Sequence, residues 1–340
     1  MRLKQTLQQL LALTMLSSLC LPLSAESQGD YLDNALFKKF LETVTTEDGH
    51  DRQQILTLFK DAKRKESILK AIARPAEKTL TWGKYRKIFI TESRIKKGLA
   101  FYKTHKNTLE RAAKQYGVPP EIILAIIGVE TRYGQNKGSY RIVDALSTLA
   151  FDYPPRSKFF TKQLREYLLL EKEAGINLST ATGSYAGAMG FPQFIPSSYR
   201  HYAVDFDNDN KIDLINNPTD AIGSVANYFK VHGWKTDAPI TSPATFIKSH
   251  NRESELDKLV NQSLKPKHTV KDFTAAGLKT TATLPASAKA TAMRLKRNNK
   301  NEYWIGLENF YVITRYNHSK LYAMAVFQLS EALKKQLNNN

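Results

Sequence analysis

Hydrophobic residues recur at helical spacing through the first part of the chain, from about residue 30 to about residue 115. A spacing of three and four positions places them on one face of a helix, so this segment is predicted to be mostly helical. The clearest stretches are Phe37, Phe40, Leu41 and Val44, and then Ile55, Leu58 and Phe59.

Residues 118 to 235 alternate between helical segments and loops rich in glycine, proline and aspartate. Pro119 and Pro120 fit the start of a helix, because the first turn leaves its N–H groups unbonded and proline has none to lose. Asn217 and Pro218 predict the start of another helix in the same way.

The composition changes near residue 237, where threonine, alanine and lysine become frequent. Runs of β-branched and aromatic residues predict short strands over residues 290–295, 302–307 and 310–314, with an asparagine-rich turn between the first two. Residues 320–337 return to helical spacing. The pattern therefore predicts a mainly α fold with a small β portion inserted late in the chain.

The first 25 residues have the pattern of a secretory signal peptide. Arg2 and Lys4 give a basic start, and residues 10–23 form a largely apolar stretch that is too short to span a bilayer comfortably. Small residues then lead to Ala25, after which we expect cleavage. The alternative is a buried amphipathic helix.

Cys20 is the one cysteine of the chain, which excludes a disulfide framework, a cysteine-ligated zinc site and an iron–sulfur cluster. A bacterial lipoprotein signal also ends in cysteine, but it places a small residue before it, and here that residue is Leu19. We therefore expect an exported, soluble protein that attaches to a membrane only if Cys20 is lipidated.

The chain is strongly basic, with 50 Lys and Arg against 32 Asp and Glu and a formal net charge of +18. Such a surface suits nucleic acids, membrane surfaces or acidic polymers. No helix-turn-helix, zinc-finger or RNA-recognition signature accompanies the charge, and an exported protein meets the anionic cell wall. We therefore expect a wall polymer as the partner, and no nucleic acid.

A carboxylate ends the most apolar helical segment of the chain. Residues 122–129 are apolar on every side, so this helix should be buried all round, and Glu130 shares a face with Ile126 and Ile127. Burial raises the pKa of a carboxyl group and makes it a general acid at neutral pH. The alternative is a structural glutamate paired with Arg132 or a backbone N–H.

A glycine-rich turn over residues 187–197 is a second candidate for function. Its glycines let the backbone approach a ligand closely, and Gln193 can bind an amide or a hydroxyl group. Phe194 and Tyr185 could stack on sugar rings, and Ser197 has the position of an N-cap for the next helix. A well-packed structural turn is the alternative.

Acidic residues over 205–213 match the spacing of an EF-hand loop, in which oxygen atoms bind a cation. Asn210 replaces the usual turn glycine but tolerates the left-handed conformation, and Asn216 stands where a bidentate glutamate is expected. Clustered carboxylates repel each other by about 1 kcal/mol or more per close pair, so we expect a structural cation rather than a solvated turn. The candidate ligands are the carboxylates of Asp205, Asp207, Asp209 and Asp213 and the carbonyl of Lys211.

These motifs follow one another in a distinctive order. Gly-Val-Glu-Thr-Arg-Tyr-Gly occupies residues 128–134, Gly-Ala-Met-Gly occupies 187–190, and the acidic loop precedes Ala-Ile-Gly-Ser-Val-Ala-Asn-Tyr at 221–228. Thr-Arg-Tyr-Asn-His-Ser at 314–319 is followed by Tyr-Ala-Met-Ala at 322–325. Together they resemble the membrane-bound lytic murein transglycosylase B family, over nearly the whole chain beyond the signal peptide.

The resemblance implies a lysozyme-like helical core, an N-terminal helical domain and a small inserted β domain. After a signal peptide over 1–25, we expect a helical domain over 26–115 that also includes the C-terminal helix at 318–337. The catalytic core is expected over 116–236 and the β domain, with its return to the cleft, over 237–317. The resemblance also implies a periplasmic location and a monomer.

The resemblance assigns roles to individual residues. Glu130 stands where the family keeps its catalytic acid, and Gln193 matches a residue of the glycan cleft. Arg156 fits a position that contacts the stem peptide, although Pro155 stands where a second arginine is frequent. The further matches to substrate-binding positions are Tyr85, Ser184, Phe194, Tyr228, Tyr316 and Asn317.

The implied activity is cleavage of the β-1,4 bond between N-acetylmuramic acid and N-acetylglucosamine in peptidoglycan without water. Glu130 would act as acid and then as base, and the product would carry a 1,6-anhydro end. The implied cofactor is a structural Ca²⁺, replaceable by Na⁺, with no organic cofactor, and the partners are glycan strands and stem peptides. The alternatives are a hydrolase of the same fold, a non-catalytic wall-binding protein, a calcium sensor and a nucleic-acid binder.

Overall fold

The computed structural model describes residues 29–74, 79–247 and 252–339. The expected signal peptide, with Cys20, lies outside these residues. In the part of the chain that the structure describes, no helix is long and apolar enough to cross a membrane.

Helices form most of the described residues between 29 and 235 and the C-terminal end of the chain, as the hydrophobic spacing predicts. They are α1 (Ala35–Thr46), α2 (Arg52–Phe59), α3 (Glu66–Ile72), α4 (Trp82–Phe89), α5 (Glu92–Tyr116), α6 (Pro120–Thr131), α7 (Ile142–Phe151), α8 (Ser157–Ala174), α9 (Pro196–Tyr202), α10 (Pro218–Val231), α11 (Arg252–Leu259), α12 (Val270–Ala275), α13 (Glu308–Tyr316) and α14 (Lys320–Leu337).

The two predicted helix starts are confirmed. Helix α6 begins at Pro120, and α10 begins at Pro218, where the side chain of Asn217 accepts a hydrogen bond from the N–H of Thr219 at 2.9 Å. The N-cap predicted at Ser197 is wrong, because α9 already begins at Pro196. The N–H of Ser197 donates instead to the side-chain oxygen of Gln163 in α8 at 3.0 Å.

The strands are β1 (Tyr140–Arg141), β2 (Thr182–Gly183), β3 (Thr241–Phe246), β4 (His268–Thr269), β5 (Leu278–Thr280), β6 (Lys289–Arg297) and β7 (Lys300–Gly306). Strands β1 and β2 pair with each other, and the other five form an antiparallel sheet in the order β4-β6-β7-β3-β5. The predicted strands at 290–295 and 302–307 are confirmed as the β6–β7 hairpin. Its turn is Asn298 and Asn299, and Asn298 has the positive φ of 52° that asparagine tolerates.

The strand predicted over 310–314 is wrong, because these residues lie in α13. Their β-branched and aromatic side chains favour a strand locally, but tertiary contacts stabilise a helix. Phe310 and Ile313 are buried at helical spacing. The side chain of Asn309 accepts from the N–H of Lys235 and donates to the carbonyl oxygen of Ala238, which holds the first turn of α13 in place.

Helix α6 is deeply buried, as its apolar pattern predicts. All residues from Ile122 to Val129 are buried, and α6 packs against α5, α10 and α14. A helix that is apolar on every face needs neighbours on every side to shield it from water. Its position is therefore set by the surrounding helices.

The buried clusters divide the N-terminal segment into two parts. Residues of α1, α2 and α3 pack with α7 and α8, whereas residues of α4 and α5 pack with α6, α10 and α14. A third cluster lies between the five-stranded sheet and the helices α11 and α12. The segment expected as one helical domain over 26–115 therefore contributes to two cores.

Tyr133 lies in a narrow slot between α5 and α6. The slot exists because Gly98 and Gly128 have no side chains: a Cβ atom would lie 2.3 Å from the Tyr133 oxygen at Gly98 and 2.6 Å from it at Gly128. Arg132 and Tyr133 both have positive φ, which turns the chain sharply where α6 ends. The slot thus fixes the backbone immediately after Glu130.

We expect Gly98→Ala to lower the free energy of unfolding by about 1–3 kcal/mol, because the added methyl group overlaps Tyr133 and Leu333. Helix propensity alone gives the opposite sign, since alanine is about 1 kcal/mol better than glycine. Urea unfolding measures the change. Lys103→Ala, at an exposed position of the same helix, is the control and should stay within about 0.5 kcal/mol of the wild type. A stabilised Gly98→Ala variant would contradict the slot.

Candidate active site

Glu130 occupies the last turn of α6, at the edge of the buried core, and is partly exposed. Its Oε1 atom accepts a hydrogen bond of 2.5 Å from the phenol of Tyr322, which α14 brings to it from 192 positions along the chain. The sequence pattern suggested Arg132 or a backbone N–H as the partner of Glu130 and did not indicate Tyr322. The sequence nevertheless contained a signal for Tyr322, because this residue is the first of the Tyr-Ala-Met-Ala motif at 322–325.

Tyr316 lies beside Tyr322 with the two rings nearly parallel, 6.4 Å apart and inclined by 11°. Its phenol donates to the carbonyl oxygen of Pro192 at 2.6 Å. Burial, and then the charge of Glu130, raises the pKa of both phenols well above the usual value of 10. Both tyrosines therefore remain neutral hydrogen-bond donors at physiological pH. We refer to Glu130, Tyr316 and Tyr322 as the Glu130 pocket.

The glycine-rich turn closes one side of this pocket. Met189 and Phe194 exchange backbone hydrogen bonds of 2.9 and 3.1 Å across it. Gln193 has a positive φ of 51°, and its Nε2 atom donates to the carbonyl oxygens of Lys137 at 3.1 Å and Gly190 at 3.0 Å. Its side-chain nitrogen therefore holds the turn in shape.

The end of α6 is tied directly to this turn. The Oγ1 atom of Thr131 donates to the carbonyl oxygen of Phe191 at 3.0 Å, and the N–H of Gly134 donates to the same Oγ1 atom. The N–H of Phe191 in turn donates to the carbonyl oxygen of Leu214, at the end of the acidic loop. Glu130, the turn and the acidic loop thus form one connected frame.

Three further predicted residues are buried and pack around the tyrosines of the Glu130 pocket. Phe194 and Tyr228 are 2% and 6% exposed, and their rings lie 5.8 and 4.8 Å from that of Tyr316. The buried ring of Phe194 supports Tyr316 and offers no open face to a sugar. Tyr85 is also buried, and its charge interaction adds to the raised pKa of Tyr322.

The remaining predicted residues lie along the same side of the molecule. The Oγ atom of Ser184 accepts from the N–H of Ala188 at 3.0 Å and shapes the start of the turn. Arg156 and Asn317 line a groove of about 850 Å³ together with Tyr185 and Trp82. Arg156 is exposed, and its guanidinium lies over the ring of a neighbouring phenylalanine. The groove runs between the helical core and β6.

The acidic loop brings three of its predicted ligands together. Carboxylate oxygens of Asp205, Asp207 and Asp209 lie within 4.8 Å of one another, and Asn210 has the predicted left-handed conformation, with φ 66°. Three converging carboxylates are a donor set that suits a hard cation such as Ca²⁺. The loop residues therefore fit the predicted cation.

The structure does not bring Asp213 into that cluster. Its Oδ1 atom accepts from the N–H groups of Ile215 and Asn216, both at 2.8 Å, so its side chain caps the backbone. Lys211 is exposed, and its N–H donates to Asp209. The side chain that is turned inward at this loop belongs to a residue that the spacing did not indicate.

That side chain is Asp220, in the first turn of α10. It is fully buried and accepts from the N–H groups of Phe206 and Asp213, both at 2.8 Å, so it joins the two ends of the acidic loop. Burial raises the pKa of its carboxyl group above the usual value. Its position just after Asn217 and Pro218 suggested only a helix start, because spacing alone does not show which way a side chain points.

Known proteins of similar sequence and structure identify the family of this chain. Residues 33–331 match the family described as the transglycosylase SLT domain. The chain is 42% identical over 314 residues to membrane-bound lytic murein transglycosylase B of Escherichia coli strain K12, covering 90% of this chain and 84% of that protein.

Solved structures of lytic transglycosylases have the same fold. The catenated SltB1 of Pseudomonas aeruginosa is 50% identical, with a TM-score of 0.84, covering 90% of this chain and 99% of that chain. Slt35 of Escherichia coli, solved in complex with calcium, is 40% identical, with a TM-score of 0.81 and coverage of 91% and 96%. SltB3 of Pseudomonas aeruginosa, solved with NAG-anhNAM-pentapeptide, is 26% identical, with a TM-score of 0.73 and coverage of 88% and 78%.

These likenesses confirm the predicted fold class, a lysozyme-like and mainly α structure with a small β portion. The family match spans most of the chain. The relatives are lytic transglycosylases, and the alignments cover most of their lengths. This chain therefore belongs to the transglycosylase SLT family and is a lytic transglycosylase that acts on peptidoglycan.

Proposed function

We propose that the protein cleaves the β-1,4 bond between N-acetylmuramic acid and N-acetylglucosamine without water, and that Glu130 is its single acid and base. The observation that carries this proposal is the Glu130 pocket, in which one carboxylate faces neutral phenols. A hydrolytic glycosidase places a second carboxylate across the bond, about 5–10 Å from the first. Glu130 is the carboxylate that accepts the hydrogen bond of Tyr322, and its charge also acts on Tyr316.

The reaction then needs two proton transfers at one carboxyl group. Glu130 donates its proton to the glycosidic oxygen as the bond from that oxygen to C1 of the muramic sugar breaks. The C6 hydroxyl of the same sugar attacks C1, and its proton passes to Glu130, which is thereby restored. No water is consumed, and the intramolecular attack gains from the effective molarity of a group held in place.

The phenols of the pocket have defined tasks in this scheme. Tyr322 donates to Glu130 and holds its carboxyl group in one orientation, which a proton donor and acceptor requires. Tyr316, fixed to the turn through Pro192, sets the wall against which the sugars lie. The shape of that wall is kept by Gln193, Ser184, Phe194, Tyr228 and Tyr85. The site extends along the adjoining groove through Asn317 and Arg156.

The substrate class follows from the same features. SltB3, a more distant relative, was solved in complex with NAG-anhNAM-pentapeptide. The exposed Arg156 at the groove suits the carboxylates of a stem peptide. We infer that the substrate is a glycan strand with acidic stem peptides. We further propose that the protein acts as a monomer after export to the periplasm.

The acidic loop has a structural task in this proposal. Slt35 was solved with calcium, and a cation held by Asp205, Asp207 and Asp209 would cancel their mutual repulsion. The loop is joined to the turn by the bond from Phe191 to Leu214. Ca²⁺, or Na⁺ in its place, would therefore stabilise the frame around Glu130 without taking part in the chemistry. No organic cofactor is proposed.

We expect Glu130→Gln to reduce turnover of purified sacculi by at least about a hundredfold, because an amide can neither donate nor accept the transferred proton. Mass spectrometry of the soluble products measures the reaction. The wild type should release anhydro-muropeptides, with a mass lower by one water than the hydrolytic products. Reducing-end muropeptides from the wild type would show a hydrolase and would refute the proposed mechanism.

We expect Tyr322→Phe to lower kcat about tenfold with little change in KM, since one hydrogen bond that orients Glu130 is lost. Burial holds the pKa of Tyr322 well above 10, so the phenol stays protonated and the ratio of wild-type to variant activity should be constant between about pH 5 and 9. Tyr102→Phe, which removes a surface bond to Glu110, is the matched control and should leave kcat unchanged. An equal loss in both variants would contradict a specific role for Tyr322.

We expect millimolar Ca²⁺ to raise the melting temperature of the wild type by about 2–4 °C, because a ligand that binds only the folded state stabilises it. Asp207→Asn combined with Asp209→Asn should abolish this increase. Asp33→Asn, at a surface position outside the loop, should keep it. Calorimetry with and without a chelator makes the measurement, and a calcium effect that persists in the double variant would place the cation elsewhere.

A further inference from the structure

A second groove lies between the five-stranded sheet and the helices that support it. Strand β3 and the β6–β7 hairpin form one wall, α4 and α14 form the other, and the volume is about 1110 Å³. We call it the outer groove; the residues of the Glu130 pocket do not line it. Its lining includes Arg86, Pro243, Arg297, Lys300, Trp304 and Phe327.

The outer groove exists because the sheet extends beyond the helices on which it rests. Strand β6 makes the contact, with Met293 and Leu295 buried in the helical core. Strand β3 lies two places further along the sheet, and its residues Pro243 and Thr245 are exposed. The overhanging part of the sheet leaves an open cleft above α4 and α14.

An indole ring forms the floor of this groove. Trp304 lies in register with Pro243 on one side and Met293 on the other, and it packs edge-on against Phe327 at 6.0 Å. Trp304 is partly exposed, unlike the deeply buried Trp82 and Trp234. A rigid aromatic surface bordered by polar groups is the usual floor of a ligand site and suits the C–H face of a sugar ring.

The lining of the groove carries three cations, Arg86, Arg297 and Lys300, and two carboxylates, Glu302 and Glu331, so a positive charge remains in excess. Arg86 donates through Nε to the side-chain oxygen of Gln328 at 2.6 Å. Within the described residues no carboxylate lies within 4 Å of its guanidinium. Burial, and then the charge of Arg297, lowers the pKa of Arg86, whereas the charge of Glu302 raises it. A further anion beside Arg86 would favour its charged form.

The acidic residue closest to these cations is already engaged. Glu302 accepts from Arg297 at 2.7 Å through one oxygen and from the indole N–H of Trp82 at 3.1 Å through the other. Lys300, at the end of the hairpin, is exposed and adds a further cation. The outer groove therefore combines an aromatic floor with a basic wall, which is complementary to a sugar polymer that bears carboxylates.

We propose that the outer groove binds peptidoglycan at a second site, with a sugar ring on Trp304 and a stem-peptide carboxylate at Arg86 and Lys300. This inference rests on the proposed function, since the ligand is another segment of the same polymer. Helix α4 connects the two sites: Trp82 lines the groove beside the Glu130 pocket, and Arg86, one turn further, lines the outer groove. Binding at both would keep the sacculus close to Glu130 through a raised effective concentration.

The test compares two charge-matched double variants, both in a Glu130→Gln background so that the polymer is not consumed. Arg86→Gln with Lys300→Gln removes two positive charges from the outer groove. Arg52→Gln with Lys106→Gln removes two from exposed positions elsewhere. Pelleting with insoluble sacculi measures affinity, and melting curves check folding. We expect the dissociation constant to rise about tenfold in the groove variant and to stay within about twofold of the parent in the control.

A second arm uses the same pairs of substitutions in the active enzyme. Both double variants should cleave a soluble tetrasaccharide fragment at the wild-type rate, because it reaches only the Glu130 pocket. The groove variant should be slower on sacculi in proportion to its loss of affinity. Slower cleavage of the tetrasaccharide would mean that the substitutions disturb the pocket, and it would overturn the second site.

Three further outcomes would overturn the inference. Equal losses of sacculus binding in both double variants would show a general effect of net charge, and no loss in either would show that the outer groove does not bind the polymer. A loss of affinity for duplex DNA in the groove variant, with sacculus binding intact, would assign the groove to nucleic acid. Failure of the proposed function appears separately, as an absence of anhydro products from the wild type.

Discussion

Burial of α6 on every side is the constraint on which the rest of the structure depends. Its apolar residues from Ile122 to Val129 are covered by α5, α10 and α14, so the helix has no freedom to shift. The same packing that buries the helix brings Tyr322 on α14 against Glu130. The position of the carboxylate is therefore a property of the core, whereas in many enzymes it depends on loops.

The partners of Glu130 suit its proposed role, in which one carboxyl group both gives and takes a proton. Tyr316 and Tyr322 are kept neutral by burial, so they orient the carboxyl group without supplying a positive charge. A guanidinium in the same place would hold Glu130 ionised and unable to donate. Arg94, which lies near the end of α6, is instead directed at the carbonyl oxygen of Gly128.

Three segments far apart in the chain form one frame around this carboxylate. Thr131 connects the end of α6 to the glycine-rich turn, Phe191 connects the turn to the end of the acidic loop, and Asp220 joins the two ends of that loop. The proposed cation at the acidic loop would therefore act on the site through hydrogen bonds and packing. The site and the acidic loop are parts of a single hydrogen-bonded network.

The sequence by itself determined the helices of the core, the β6–β7 hairpin and the acidic loop, because each depends on local spacing. It also showed that Glu130 ends the apolar helix, but its proposed role came from the family resemblance. Only the tertiary structure decided that residues 310–314 form a helix, that Asp213 caps the backbone while Asp220 clamps the loop, and that Tyr322 is the partner of Glu130. Spacing reports which residues share a face of one element. Which faces meet depends on the packing of elements distant in the chain, and a single sequence carries no direct record of it.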